Sequence, residues 1–116
     1  MTGVQTCALP IFTYNQSPIT VTTSPVVVDA FDKTMYRAAK YLATAQNSAV
    51  TAWEVTEILL VHDGVTASIS EFGKLATGNI VVTFSASISG GTVQLIATGL
   101  SGATNSVKVM PTYIAI

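Results

Sequence analysis

Apolar and hydroxyl-bearing residues alternate with a period of two along most of this chain, the spacing of strands that bury one face. Val55, Glu57, Leu59 and Val61 alternate with Thr56, Ile58, Leu60 and His62, and the run stops at Asp63-Gly64, a strong hairpin signal. Val65, Ala67 and Ile69 then face one way and Thr66, Ser68 and Ser70 the other, until Gly73 to Asn79 reads as a longer loop. Val82, Phe84, Ala86 and Ile88 alternate with Thr83, Ser85 and Ser87, after which Ser89-Gly90-Gly91 turns the chain into Thr92 to Thr98. A second glycine-rich turn, Gly99 to Asn105, leads to a last strand near Ser106 to Ile114. Asp63, Gly64, Gly90 and Gly91 are thus the structural turn residues. Strands in series joined by short turns predict an antiparallel meander. Alternation with hydroxyls outside predicts an all-β fold, an antiparallel β-sandwich built from meander hairpins.

The N-terminal half is less uniform. Thr13 to Ser24 mixes turn formers with an Ile19-Thr20-Val21-Thr22 alternation and reads as a linker that adds one edge strand. Pro25 precedes Val26-Val27-Val28, a short apolar run suited to a buried strand, and Asp29 to Lys33 interrupts it. From Thr34 to Leu60 local signals conflict. Asp32 as a cap, abundant alanine and the spacing of Met35, Ala38 or Ala39, and Leu42 favour a helix. Alternation places Tyr36, Ala38, Lys40, Leu42 and Thr44 on one face and Met35, Arg37, Ala39, Tyr41, Ala43 and Ala45 on the other.

Charged residues make up 9% of the chain and the net charge is −1, against roughly 25% charged residues in ordinary soluble domains. Five basic residues, Lys33, Arg37, Lys40, Lys74 and Lys108, form no patch able to neutralise many phosphates, so nucleic acid is excluded as a partner. Threonine and serine supply 27 of the 116 residues. With so little charge to keep strand edges from pairing, the composition suits a protein that works as an assembly, a homo-oligomer. The length fits one core. No aliphatic run approaches the roughly 18 to 20 residues of a membrane span.

Met1 to Ile11 resembles the translation of a sequencing adapter: Thr2 to Ile11 match its codons without a mismatch, and Met1 corresponds to an alternative start. That resemblance implies that 1–11 is an adapter-derived artefact adding nothing to the fold, and that the chain is a C-terminal piece of a longer protein recovered from a metagenome. The lone cysteine, Cys7, lies inside this segment, so no disulfide, thiolate metal site or cysteine nucleophile is expected. The expected organisation is then 12–25 as linker or edge strand and 26–116 as the sandwich domain.

The order Tyr36-Arg37-Ala38-Ala39-Lys40-Tyr41, then Glu57-Ile58-Leu59-Leu60-Val61-His62-Asp63-Gly64, then Ile88-Ser89-Gly90-Gly91 before Val93-Gln94-Leu95 carries a resemblance. It resembles a small β-domain of tailed-phage structural proteins, found in tail-fibre-like proteins of marine and cyanobacterial phages, usually near a C-terminus. The match covers about Val28 to Thr112. It implies that the Tyr36-Arg37 segment is a strand, with the alanine-rich run Ala43 to Thr51 as the main departure. It further implies a virion structural protein, assembled in the host cytoplasm, whose partners are other virion proteins.

Candidate chemistry is sparse. His62, the only histidine, stands beside Asp63 as a general base would, yet the hairpin turn accounts for both residues. Glu54 and Glu57 would share a helix face for paired acid chemistry; on a strand they separate and read as surface carboxylates. Arg37 and Lys40 offer cross-strand partners for Glu57 or Glu71, worth little when exposed. Asp29, Asp32 and Asp63 supply oxygens for calcium, but no loop spaces them at alternate positions. The glycines lack phosphate-loop spacing. No catalytic residue, cofactor-binding residue or metal ligand is therefore assigned, and no cofactor is expected. Trp53, Tyr36, Tyr41 and Tyr113 are the candidates for contact, either a subunit interface or a platform for a host-surface glycan. The expected function is non-enzymatic assembly in a tail fibre or associated appendage, with a carbohydrate-binding module as the alternative.

Overall fold

A computed structural model describes residues 17–47, 49–100 and 104–116. Expectations for residues 1–16 and for the middle of the Gly99 to Asn105 turn fall outside them. Eight strands follow in chain order: β1 (Ile19–Val21), β2 (Val26–Asp32), β3 (Tyr36–Asn47), β4 (Ala52–His62), β5 (Ala67–Ala76), β6 (Val82–Ser89), β7 (Thr92–Gly99) and β8 (Asn105–Ala115). They form a five-stranded sheet in the order β1-β8-β3-β4-β5 and a three-stranded sheet in the order β2-β7-β6, with every pairing antiparallel. The sheets pack into an all-β sandwich. β3, β4 and β5 form one meander and β6–β7 a hairpin, but the chain crosses sheets between β5 and β6, and β8 returns beside β3. The described residues contain no helix long and apolar enough to cross a membrane.

Tertiary pairing decides the Thr34 to Leu60 conflict. β3 is hydrogen-bonded along its length to β4 on one side and β8 on the other, which removes the helical alternative that alanine content favours. Its inward residues Ala39, Tyr41, Ala43 and Ala45 are buried, while Lys40, Leu42 and Thr44 face out. The small alanines leave room for Tyr41, which is fully enclosed, and for Ile58 and Leu60 beside it on β4. Val93, Leu95 and Ala97 of β7 close the core from the other sheet.

Three expectations need correction. Asp29 to Lys33 does not end the second strand: β2 runs to Asp32, and a bulge between Val27 and Asp29 leaves Val28 unpaired and aligns Asp29 and Phe31 with the inward-facing Leu95 and Val93 of β7. Gly73 does not begin a loop. It sits with φ 67° at a bulge in β5, between the Glu57–Phe72 and Val55–Leu75 pairs, and the strand continues to Ala76. Hydroxyls are not all outside, because Thr56 is buried on β4.

The β4–β5 turn shows how local chemistry ends a strand. The Asp63 carboxylate accepts from the Val65 and Thr66 N–H groups at 2.9 and 2.7 Å, and the Asp63 N–H donates to the Thr66 carbonyl at 3.1 Å. Those bonds, the Thr66 N–H foremost, hold the exposed Asp63 carboxyl below its ordinary value. The two central residues are Gly64 and Val65, and Gly64 has φ 94°. A Cβ at Gly64 meets open space, so substitution there costs backbone strain alone. Gly64→Val should therefore destabilise the fold by about 1–2 kcal/mol in urea denaturation; an unchanged midpoint contradicts this turn geometry.

Candidate functional site

The alternation that buries Tyr41 and Ile58 sends a second row of side chains to the outer face of the five-stranded sheet. Cross-strand pairing brings Ala38, Val61 and Ile114 together at one end, Leu42, Phe72 and Met110 at the middle, and Thr44, Val55, Leu75 and Lys108 towards the other end, where Trp53 pairs with Gln46. Among the described residues fourteen large hydrophobic side chains stay exposed. Seven of them, Leu42, Trp53, Leu59, Val61, Phe72, Leu75 and Ile114, lie on this one face. Clustering is what distinguishes an interaction surface from scattered exposed residues. Charge is thin here: Lys40 Nζ lies 3.3 Å from Glu57 Oε1 at an exposed position, which adds little stability, and Lys108 has no carboxylate within ion-pair distance among the described residues.

Three shallow depressions indent the face. The largest, about 570 Å³, is lined by Trp53, Gln46, Thr44, Lys108, Ser106 and Leu75 among others. A second, about 420 Å³, lies between Ala38, Lys40, Leu59, Val61, Ser70 and Ile114. A third, about 160 Å³, separates them beside Leu42 and Met110.

The four aromatic candidates do not share one platform. Trp53 is 42% exposed on the outer face. Tyr36 lies at the far end of β3 from the Gln46 that pairs with Trp53, ten residues away, or about 33 Å at the usual strand rise. Tyr41 is core: its hydroxyl donates to Asp29 Oδ2 at 2.8 Å, and Tyr113 donates to the same oxygen at 2.6 Å, tying the two sheets together. Burial and the adjacent Asp29 charge push the Tyr41 hydroxyl well above its ordinary value. Tyr36 and Tyr113 stack with ring centres 5.1 Å apart, and Phe31 packs on both.

His62 is buried beneath this cluster. Its Nδ1 accepts from the Gly64 N–H at 3.0 Å, which assigns the ring hydrogen to Nε2, the donor to the Tyr36 carbonyl at 2.8 Å. One nitrogen holds the β4–β5 turn and the other ties β4 to the start of β3.

Glu54, expected at the surface, is buried. Its Oε1 accepts from the Val81 N–H at 2.7 Å and the Val82 N–H at 3.3 Å, and its Oε2 lies 3.3 Å from Lys74 Nζ, an ion pair without a well-aligned hydrogen bond. Asn47 and Asn105 form a second buried polar link: Asn47 Nδ2 donates to Asn105 Oδ1 and Asn105 Nδ2 to the Val21 carbonyl, each at 3.1 Å. Sequence reasoning missed both. A signal was available for Glu54, which shares the parity of Ile58 and Leu60.

All six acidic residues have a polar partner within the chain: Asp29 two tyrosines, Asp32 Thr34, Asp63 its own turn, Glu54 and Glu71 Lys74, and Glu57 the exposed Lys40. Among the described residues no three His, Cys, Asp or Glu side chains group as a metal site. The chemistry on offer is apolar contact and hydroxyl or amide hydrogen bonding on the outer face.

No protein-family description matches the chain, and no curated protein matches it. Solved structures do match, among them two phage tailspikes. The tailspike protein of Acinetobacter phage vB_ApiP_P1 aligns over 94% of this chain and 24% of its own length, with 20% identity and a TM-score of 0.54. The tailspike protein of Acinetobacter baumannii phage AM24 aligns over 99% of this chain and 31% of its own length, with 13% identity and a TM-score of 0.54. The chain thus spans about a quarter to a third of each of these longer proteins. At these identities the likeness is one of fold: this sandwich is similar to a part of two phage tailspikes.

Proposed function

We propose that this chain is a non-enzymatic structural module of a phage virion, within a tail fibre or an associated appendage, that acts in assembly. The observation that carries the reading is the outer face of the five-stranded sheet, where seven large apolar side chains stand in water on an otherwise well-packed sandwich. Exposure of that kind is costly in solution and is relieved when another surface covers it. Copies of the chain and other virion proteins are the partners, and the assembled virion is its location. The fold likeness to parts of two tailspikes supports the setting, and the commitment of Asp29, Glu54 and His62 to structural bonds supports a non-catalytic role. Residues 26–116 act as the module, 12–25 as the linker that contributes β1, and 1–11 take no part.

The Trp53 depression favours a second reading, a carbohydrate-binding module for host-surface glycans. An exposed indole beside Gln46, Thr44, Ser106 and Lys108 offers a stacking face with hydrogen-bond partners.

Sedimentation velocity over a wide concentration range, alone and with a purified tail protein, tests the first reading. Association is expected, burying on the order of 1,000 Å² or more per contact. Leu59→Lys, at an exposed position, should weaken it at least tenfold while leaving the circular dichroism and thermal midpoint intact. A chain that stays monomeric with every partner, yet binds a glycan array in a manner lost in Trp53→Ala, establishes the second reading instead.

A further inference from the structure

The sandwich has four sheet edges, and three carry features that resist strand addition. β5 has the Gly73 bulge flanked by Glu71 and Lys74. β2 has the Val27/Asp29 bulge with Asp29 and Asp32 on the strand. β1 is three residues long and follows Pro18. β6 has none of these: Val82–Ser89 contains no charge and no proline, and pairs with β7 without a register shift.

The edge at β6 is also incompletely covered. Phe84, Ala86 and Ile88 pack against the core but remain half-buried, whereas their direct partners on β7, Ala97, Leu95 and Val93, are fully enclosed. The smaller sheet stops one strand short of closing over its own inward row. The backbone is ready for another strand. The Leu100 N–H donates to the Val81 carbonyl at 3.0 Å, which turns the carbonyl of Val81, and of every second residue after it, towards β7. The alternation of an antiparallel ladder then puts the N–H and C=O groups of Phe84, Ala86 and Ile88 on the open edge. Among the described residues no strand pairs there.

We propose that this edge takes the β6 strand of a second copy, antiparallel about a two-fold axis at Ser85. In that register inward residues stay opposite inward ones, as the pleat requires. Phe84 meets the partner's Ala86, Thr83 meets the partner's Ser87, and Ser85 meets the partner's Ser85, and the paired stretch ends before Val82, which is buried with its N–H held by Glu54. Large side chains oppose small or aliphatic ones inside, hydroxyls oppose hydroxyls outside, and no charge is brought together. The strand is thus its own complement, which is what a two-fold contact demands. The two small sheets join into one of six strands. This contact is separate from the outer face of the five-stranded sheet and does not depend on it.

The register places the two Ser85 residues as a non-hydrogen-bonded pair, with Cα atoms about 4.5 Å apart, within disulfide range. Ser85→Cys in the full chain carrying Cys7→Ser, mildly oxidised across a concentration series, should give a cross-linked dimer at least tenfold more abundant than Ser87→Cys under the same conditions. Ser85→Lys, which sets two cations on the axis at an exposed position, should raise the dimer dissociation constant at least tenfold without changing the thermal midpoint. Equal cross-linking of the two cysteine variants overturns the proposal, as does a dimer indifferent to Ser85→Lys or a β6 cross-link made only to a different virion protein. Repeating the Ser85→Cys experiment in the Leu59→Lys background separates the contacts. A cross-link that persists there belongs to β6 even if the outer face proves idle, and one that vanishes assigns the dimer to the outer face and contradicts this inference.

Discussion

Glu54→Ala should destabilise the fold by about 3–4 kcal/mol, the largest single effect among the polar residues. The carboxylate is buried and accepts two N–H groups, from Val81 and Val82, where the chain enters β6 after crossing between sheets. Removing it leaves those donors without a partner and Lys74 facing only Glu71 at 3.5 Å. Lys74 retains some access to water, which holds the cost below that of a fully buried broken pair. Glu54→Gln keeps an acceptor for the two N–H groups and should lose about half as much. Urea denaturation of the two variants separates hydrogen-bond loss from charge loss, and equal midpoints for wild type and Glu54→Ala contradict the clamp.

Asp29→Ala should cost about 2–4 kcal/mol, because it strips the shared acceptor from the hydroxyls of Tyr41 and Tyr113 and breaks a bond between sheets. The same cluster sets an alkaline limit. Burial, first, and the Asp29 charge raise the Tyr41 hydroxyl above its ordinary value of 10. Above about pH 10 an unfolded tyrosine releases its proton while the folded one retains it, so the unfolded state gains. Stability from this group is therefore fully present below about pH 10 and falls as pH rises further. Tyr41→Phe should be less stable at neutral pH but should show a shallower alkaline decline. An identical alkaline slope in wild type and Tyr41→Phe contradicts the assignment.

The architecture was legible where period-two alternation met turn chemistry. The Leu59, Val61 and Ile69 hairpin and the β6–β7 hairpin can be read from the residues, because side-chain parity and glycine placement are local properties. β3 was not legible by pattern alone: alanine favours a helix locally, and its strand state comes from hydrogen bonds to β4 and β8, the latter sixty or more residues away. Bulges escaped as well, since Asp29 and Gly73 look like a strand end and a loop start until their partner strands are known. Of the aromatic candidates, Trp53 stands on the proposed contact face, while Tyr41 is core because β3 parity turns it inward. The apolar outer face is legible in the residues: Leu59 and Val61 share the parity of Trp53, opposite to that of Ile58 and Leu60, so both faces of β4 carry large apolar side chains. A half-buried strand has one such face; two imply a second covering layer.

Hydroxyl-radical footprinting of the full chain, free at low concentration and then in association with its copies or with purified tail proteins, tests the covering of that outer face most directly. Trp53, Leu59, Phe72 and Met110 should all be labelled in the free chain and should lose most of their labelling together on association, while exposed Met35 and Val65, away from the face, keep theirs. Association that leaves Trp53, Leu59, Phe72 and Met110 as reactive as in the free chain contradicts the account.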